Sequence, residues 1–92
     1  MNEFEKLIYK YGEKNRLEIL AALNENDQGM TYSELKEKLN FSPNALRFNL
    51  YALIEAGLVE ASKPQLESKS IIFKITKQGR AYLEYLKENV EK

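Results

Sequence analysis

The spacing of apolar positions changes along the chain, and each change marks an element. Phe4, Leu7, Ile8 and Tyr11 recur at helical spacing from Asn2 onward. Leu17, Ile19, Leu20 and Leu23 resume that spacing after Gly12. The glycine, followed by Asn15 and Glu18 in the form of a capping box, predicts a break or bend near residue 12. The stretch from Asn24 to Gly29 is rich in turn-forming residues and ends the run. A second capping box, Thr31 with Glu34, opens a short helix that reaches Leu39. Ser42 and Pro43 open a third helix, because serine caps well and proline's missing N–H costs nothing at the first helical position. That helix runs to Ala56 and stops at Gly57, which accepts a positive φ.

Beyond Gly57 the period shortens to two. Leu58 to Lys63 and Ser70 to Ile75 read as strands, joined by a loop over Pro64 to Lys69. Ile71, Phe73 and Ile75 share one face of the second strand, and Ile72 and Lys74 the other. Thr76 caps a final helix with an apolar seam of Tyr82, Leu83, Leu86 and Val90. Gly29, Met30 and Thr31 supply a small third strand. The order is helix, short helix, helix, strand, strand, helix. This predicts a mainly α fold with a small β-hairpin (α+β), a winged helix-turn-helix extended by terminal helices. A single domain over residues 1–92 is expected, with a helical extension over 1–14, a core over 15–75 and a C-terminal helix over 76–92.

Composition narrows the function. The 92 residues are 43% hydrophobic and 30% charged, which suits a folded domain. No apolar run approaches the roughly 18 residues that span a membrane, and the N-terminus lacks the apolar core of a signal peptide. A cytoplasmic protein with no membrane partner is expected. Cysteine and histidine are both absent, so disulfides, thiol chemistry, the commonest metal ligands and the usual neutral-pH base are missing. No catalytic residues, metal site or cofactor are expected, and an enzyme is the least supported class. Fourteen basic residues balance fourteen acidic ones, which argues against indiscriminate coating of nucleic acid. The balance is uneven along the chain, however. Residues 1–41 carry six basic and eight acidic groups, and residues 81–92 two and three. Residues 42–80 carry six basic and three acidic groups, so the net positive segment coincides with the third helix and the hairpin.

At roughly 100° per residue, Leu46, Leu50, Leu53 and Ile54 of the third helix cluster toward the core. Asn44, Phe48, Tyr51 and Glu55 lie opposite, with Arg47 and Asn49 on the flanks. In helix-turn-helix proteins this helix enters the major groove. There arginine forks onto guanine, asparagine bridges adenine, and an aromatic edge contacts a thymine methyl. The bland alternative is a solvated face, which accounts more easily for Asn44, Arg47 and Asn49 than for two exposed aromatics. The hairpin tip carries Lys63, Gln65, Ser68 and Lys69, suited to a phosphate backbone or minor groove. Lysines that merely guard strand edges give the same pattern. Thr31, Ser33, Ser42 and Pro43 complete the candidate DNA-binding set.

Several segments are similar to ArsR/MarR/PadR-type winged-helix transcriptional regulators. Asn15 to Leu23 resembles their first helix, and Thr31 to Leu35 their second. Ser42 to Leu50 with Leu53 to Val59 resembles their recognition helix and its exit, and Ile75 to Arg80 the segment opening their last helix. The resemblance spans about residues 15 to 83 and implies a dimeric, sequence-specific binder of double-stranded DNA that controls transcription. Base-reading positions of the family fall on Pro43, Asn44, Arg47, Phe48 and Asn49. Phe48 and Asn49 stand where many relatives carry a basic residue followed by histidine. The cysteine and histidine ligands of the metal-sensing branch are absent, so that sensor role is not implied. No small-molecule effector site is evident.

The terminal apolar faces make a separate case for a homodimer. Phe4, Leu7, Ile8 and Tyr11 lie outside the minimal core, as do Tyr82, Leu83, Leu86 and Val90 at the other end. Leu83, Leu86 and Val90 have coiled-coil spacing. Packing against each other within one chain is the alternative. A twofold dimer places two recognition helices about 34 Å apart and predicts an inverted-repeat site. The competing function is a winged-helix protein-interaction module in a larger assembly.

Overall fold

The computed structural model describes the backbone of residues 3–62 and 70–90, and side chains over 14–62 and 70–88. The order is α1 (Glu3–Asn24), β1 (Met30–Thr31), α2 (Tyr32–Lys38), α3 (Pro43–Glu55), β2 (Val59–Ser62), β3 (Ile72–Ile75) and α4 (Lys77–Val90). Local chemistry sets most of these boundaries. The Thr31 hydroxyl accepts from the Glu34 N–H at 3.1 Å, and the Glu34 carboxylate accepts from the Thr31 N–H at 2.8 Å. This completes the capping box of α2. The Thr31 N–H, and after it the hydroxyl, hold the Glu34 carboxyl below its ordinary pKa. The Ser42 hydroxyl accepts from the Ala45 N–H at 3.2 Å, and Pro43 opens α3.

α1 departs from expectation. It passes through Gly12 as one uninterrupted helix of 22 residues, so Asn15 and Glu18 are interior positions and cap nothing. A lone glycine costs a helix only about 1 kcal/mol relative to alanine. That is too little to break a helix whose later turns are anchored in the core through Leu17, Ile19, Leu20 and Leu23.

The exit of α3 is a Schellman turn. Gly57 adopts φ 77°, its N–H donates to the Ile54 carbonyl at 3.0 Å, and the Leu58 N–H reaches back to Leu53 at 2.9 Å. Thr76 fastens this turn to the next helix. Its hydroxyl donates to the Gly57 carbonyl at 2.7 Å and accepts from the Gly79 N–H at 2.9 Å. Its N–H donates to the Leu58 carbonyl at 3.0 Å. α4 sits so close to this strand root that a Cβ on Gly79 would collide with the Leu58 carbonyl oxygen.

The sheet is antiparallel with order β1-β3-β2. Met30 pairs with Phe73, and Val59 with Ile75. Phe73 and Ile75 point into the core as expected. Ile71 does not: it precedes β3 and is exposed. The core joins Leu17, Ile19, Leu20 and Leu23 of α1 to Leu35, to Leu46, Leu50 and Leu53 of α3, and to Val59, Phe73 and Ile75. Leu83 and Leu86 of α4 complete it at 1% and 0% exposure. These two leucines therefore belong to the chain's own core, not to a seam open to a twin. Tyr82 packs on the same core and stacks on Tyr85 with ring centroids 5.8 Å apart. Their spacing of three is as natural on a helix packed against its own neighbours as in a coiled coil. The side chains of Phe4, Leu7, Ile8, Tyr11 and Val90 lie outside the described residues.

Candidate nucleic-acid interface

The helix pair α2–α3 and the sheet frame the candidate site. Leu46, Leu50 and Leu53 anchor one side of α3 in the core, which turns the opposite side outward. Asn44, Arg47, Phe48, Tyr51 and Glu55 are all exposed there. Phe48 is 74% exposed and Tyr51 65%, unusual for large aromatics. Among the described residues no ring stacks on Phe48.

Asn49 was expected on a flank of this face, but α3 turns it inward. It is 5% exposed, and its amide donates to the Ala45 carbonyl at 2.8 Å. It lies three residues beyond Leu46 and four before Leu53, on the buried side of the helix. The bond to the preceding turn satisfies the amide N–H locally, so burial is tolerated and Asn49 is not a base-reading group.

Arg47 is positioned by α2. Its guanidinium carbon lies 5.8 Å from the centroid of the Tyr32 ring, within range of a cation–π contact. The Tyr32 hydroxyl donates to the Pro43 carbonyl at 3.3 Å, which ties the start of α2 to the start of α3. Among the described residues no carboxylate pairs with Arg47. The pattern of the chain marks Tyr32 only as an aromatic at the first helical position after the Thr31 cap.

A cleft of about 440 Å³ opens between the start of α2, α3 and the sheet. Thr31, Ser33, Arg47 and Tyr51, all expected DNA contacts, border it together with Tyr32 and Ile71. Asn44 and Phe48 do not line it. Ser42 and Pro43 are exposed at the N-terminus of α3, although the Ser42 hydroxyl already serves as its cap. Lys63, Gln65, Ser68 and Lys69 lie outside the described residues. Among the described residues no three potential metal ligands gather, and no helix is long and apolar enough to cross a membrane.

Comparison with known proteins now decides the family. The profile described as "Winged helix DNA-binding domain" matches residues 15–92. The chain belongs to this family. Two solved structures share its winged-helix fold. Apo wild-type MarR of E. coli superposes with a TM-score of 0.72 at 21% identity, covering 98% of this chain and 78% of that one. A zinc-responsive MarR family member of Lactococcus lactis, ZitR, gives 0.67 at 21% identity, covering 76% of this chain. Only 47% of ZitR is matched, so this chain spans about half the length of that regulator. No curated protein sequence matches. By family, then, it is a winged helix DNA-binding domain.

Proposed function

We propose that this winged-helix protein is a homodimeric, sequence-specific transcriptional regulator. α3 enters the major groove of double-stranded DNA, and the wing at 63–70 lies on the backbone or in the minor groove. The observation that carries this is the outward face of α3. Arg47 and Asn44 sit there beside two exposed aromatics, next to a helix pair of helix-turn-helix form. Arg47 supplies the charge, and its contact with Tyr32 reduces the freedom it must lose on binding. Phe4, Leu7, Ile8 and Tyr11 of α1, with Tyr82 and Val90 of α4, are the proposed dimer surface once Leu83 and Leu86 are assigned to the core. A protein-interaction role is the second reading, favoured by the 74% and 65% exposure of Phe48 and Tyr51.

The test is binding to a labelled mixed-sequence duplex against salt, with Arg47→Ala alongside. Arg47, Lys63 and Lys69 from two protomers give a slope of about −5 in log K against log salt if all six neutralise phosphates. Arg47→Ala then reduces the slope by about 2 if Arg47 meets phosphates. It leaves the slope nearly intact and relaxes sequence preference if Arg47 reads guanine. Absence of binding at low salt rejects the DNA-binding role. Sedimentation reporting a monomer at binding concentrations rejects the dimer.

A further inference from the structure

We infer that Phe48 reads thymine, through contact of its ring with the 5-methyl group in the major groove. This rests on α3 being the helix that enters the groove, and it specifies what kind of base edge that helix prefers.

Four observations lead there. First, Asn49 is withdrawn into the core, which removes one of the two side-chain amides on α3 from base contact. Second, Arg47 lies over the Tyr32 ring at the border of the cleft. Third, Asn44 and Phe48 are left on the part of the exposed face that does not border the cleft, and the Phe48 ring is the most exposed large apolar side chain among the described residues. Fourth, nothing in the fold requires an aromatic at this position. Phe48 is absent from the core and from the residues packed against it, and phenylalanine is a weaker helix former than alanine or leucine.

The chemistry of the groove then selects the partner. Every base pair presents hydrogen-bond donors and acceptors there, and the one apolar group among them is the thymine methyl. A phenyl ring set against a cytosine amino group or a guanine carbonyl strips water from a polar atom and returns no hydrogen bond. Set against a thymine methyl, the same ring buries apolar surface on both sides. Phe48 thus favours thymine by attraction and disfavours the other bases by unpaired polar atoms, which is how discrimination is commonly built.

The experiment starts from a duplex selected by the intact protein out of a random pool. Copies of that duplex carry uracil in place of thymine at one position at a time, which deletes only the methyl group. Wild type and Phe48→Ala are titrated against each copy, with circular dichroism confirming that the variant folds. The expected result is at least one position at which uracil weakens wild type about fourfold, the effect of one buried methyl. Phe48→Ala binds the thymine and uracil duplexes equally at that position, while Phe48→Leu retains part of the preference. Two outcomes overturn the proposal: no position at which uracil weakens wild type by more than twofold, or unchanged discrimination in Phe48→Ala. If the pool yields no bound duplex even at low salt, the DNA-binding role itself fails, and thymine reading with it.

Discussion

The two faces that α3 presents at its exit and along its crest are built on opposite terms. At the exit, Gly57, Leu58, Thr76 and Gly79 interlock by hydrogen bonds and by a backbone approach too close for any side chain on Gly79. Along the crest, Phe48 and Tyr51 stand in solvent with most of their surface uncovered. Small and polar residues are doing structural work in the first region, and large aromatics are doing none in the second. The contrast teaches that residue type alone misleads. A threonine and a glycine hold the fold together here, while phenylalanine, ordinarily a core residue, is free to meet a partner.

The comparison can be broken most sharply at Gly79. Gly79→Ala sets a Cβ against the Leu58 carbonyl and the Ile75 side chain, and stability falls by about 3 kcal/mol. In thermal unfolding this is a drop of roughly 15 °C for a domain of this size. A melting point within a few degrees of wild type means that α4 is less tightly seated than described. Thr76→Val removes both hydroxyl bonds but keeps the shape, and costs about 1–2 kcal/mol in urea unfolding. Phe48→Ala does the reverse of both. Its unfolding free energy stays within about 0.5 kcal/mol of wild type, while affinity for a selected duplex falls about tenfold. Loss of stability with intact affinity inverts the contrast and assigns Phe48 to the fold.

The smallest expected effect concerns Glu34, which is fully exposed. Its folded-state pKa is lowered by the Thr31 N–H and hydroxyl. The stability it contributes is therefore complete above the ordinary carboxylate range and is lost as pH falls through the lowered folded value. Glu34→Gln keeps an acceptor for the Thr31 N–H and removes the charge. The difference between urea midpoints at neutral and acid pH should shrink slightly in this variant. An identical difference in both proteins shows that the capping box contributes nothing through ionisation.

Much of this was legible in the chain because caps are local. Thr31 with Glu34, Ser42 with Pro43, and Gly57 each act within a few residues of where they stand, and the structure places all of them as expected. The core side of α3 was equally legible, since Leu46, Leu50 and Leu53 repeat at helical spacing. What could not be read depends on longer-range packing. Gly12 carries a break signal that the core packing of α1 overrides. Asn49 carries a polar side chain on an azimuth that the core claims, and only the bond to Ala45 reveals why that is tolerated. Leu83 and Leu86 have a spacing that fits the chain's own core and a partner's helix equally well. Tyr32 became visible as a rest for Arg47 only when α2 and α3 were seen side by side.

The Thr76 hydroxyl has one more consequence, and it concerns variation. By bonding to Gly57 across nineteen positions, it closes the hairpin at its root. Lengthening a flexible loop beyond such a root is cheap, since each doubling adds only about 0.6 kcal/mol of closure entropy. Val59, Phe73 and Ile75 keep the strands of this segment in the core, so added length is tolerated between the strands and not within them. The register between α3 and α4 is held at that root by the Thr76 hydroxyl together with the Thr76 N–H bond to Leu58 and the close seat of Gly79.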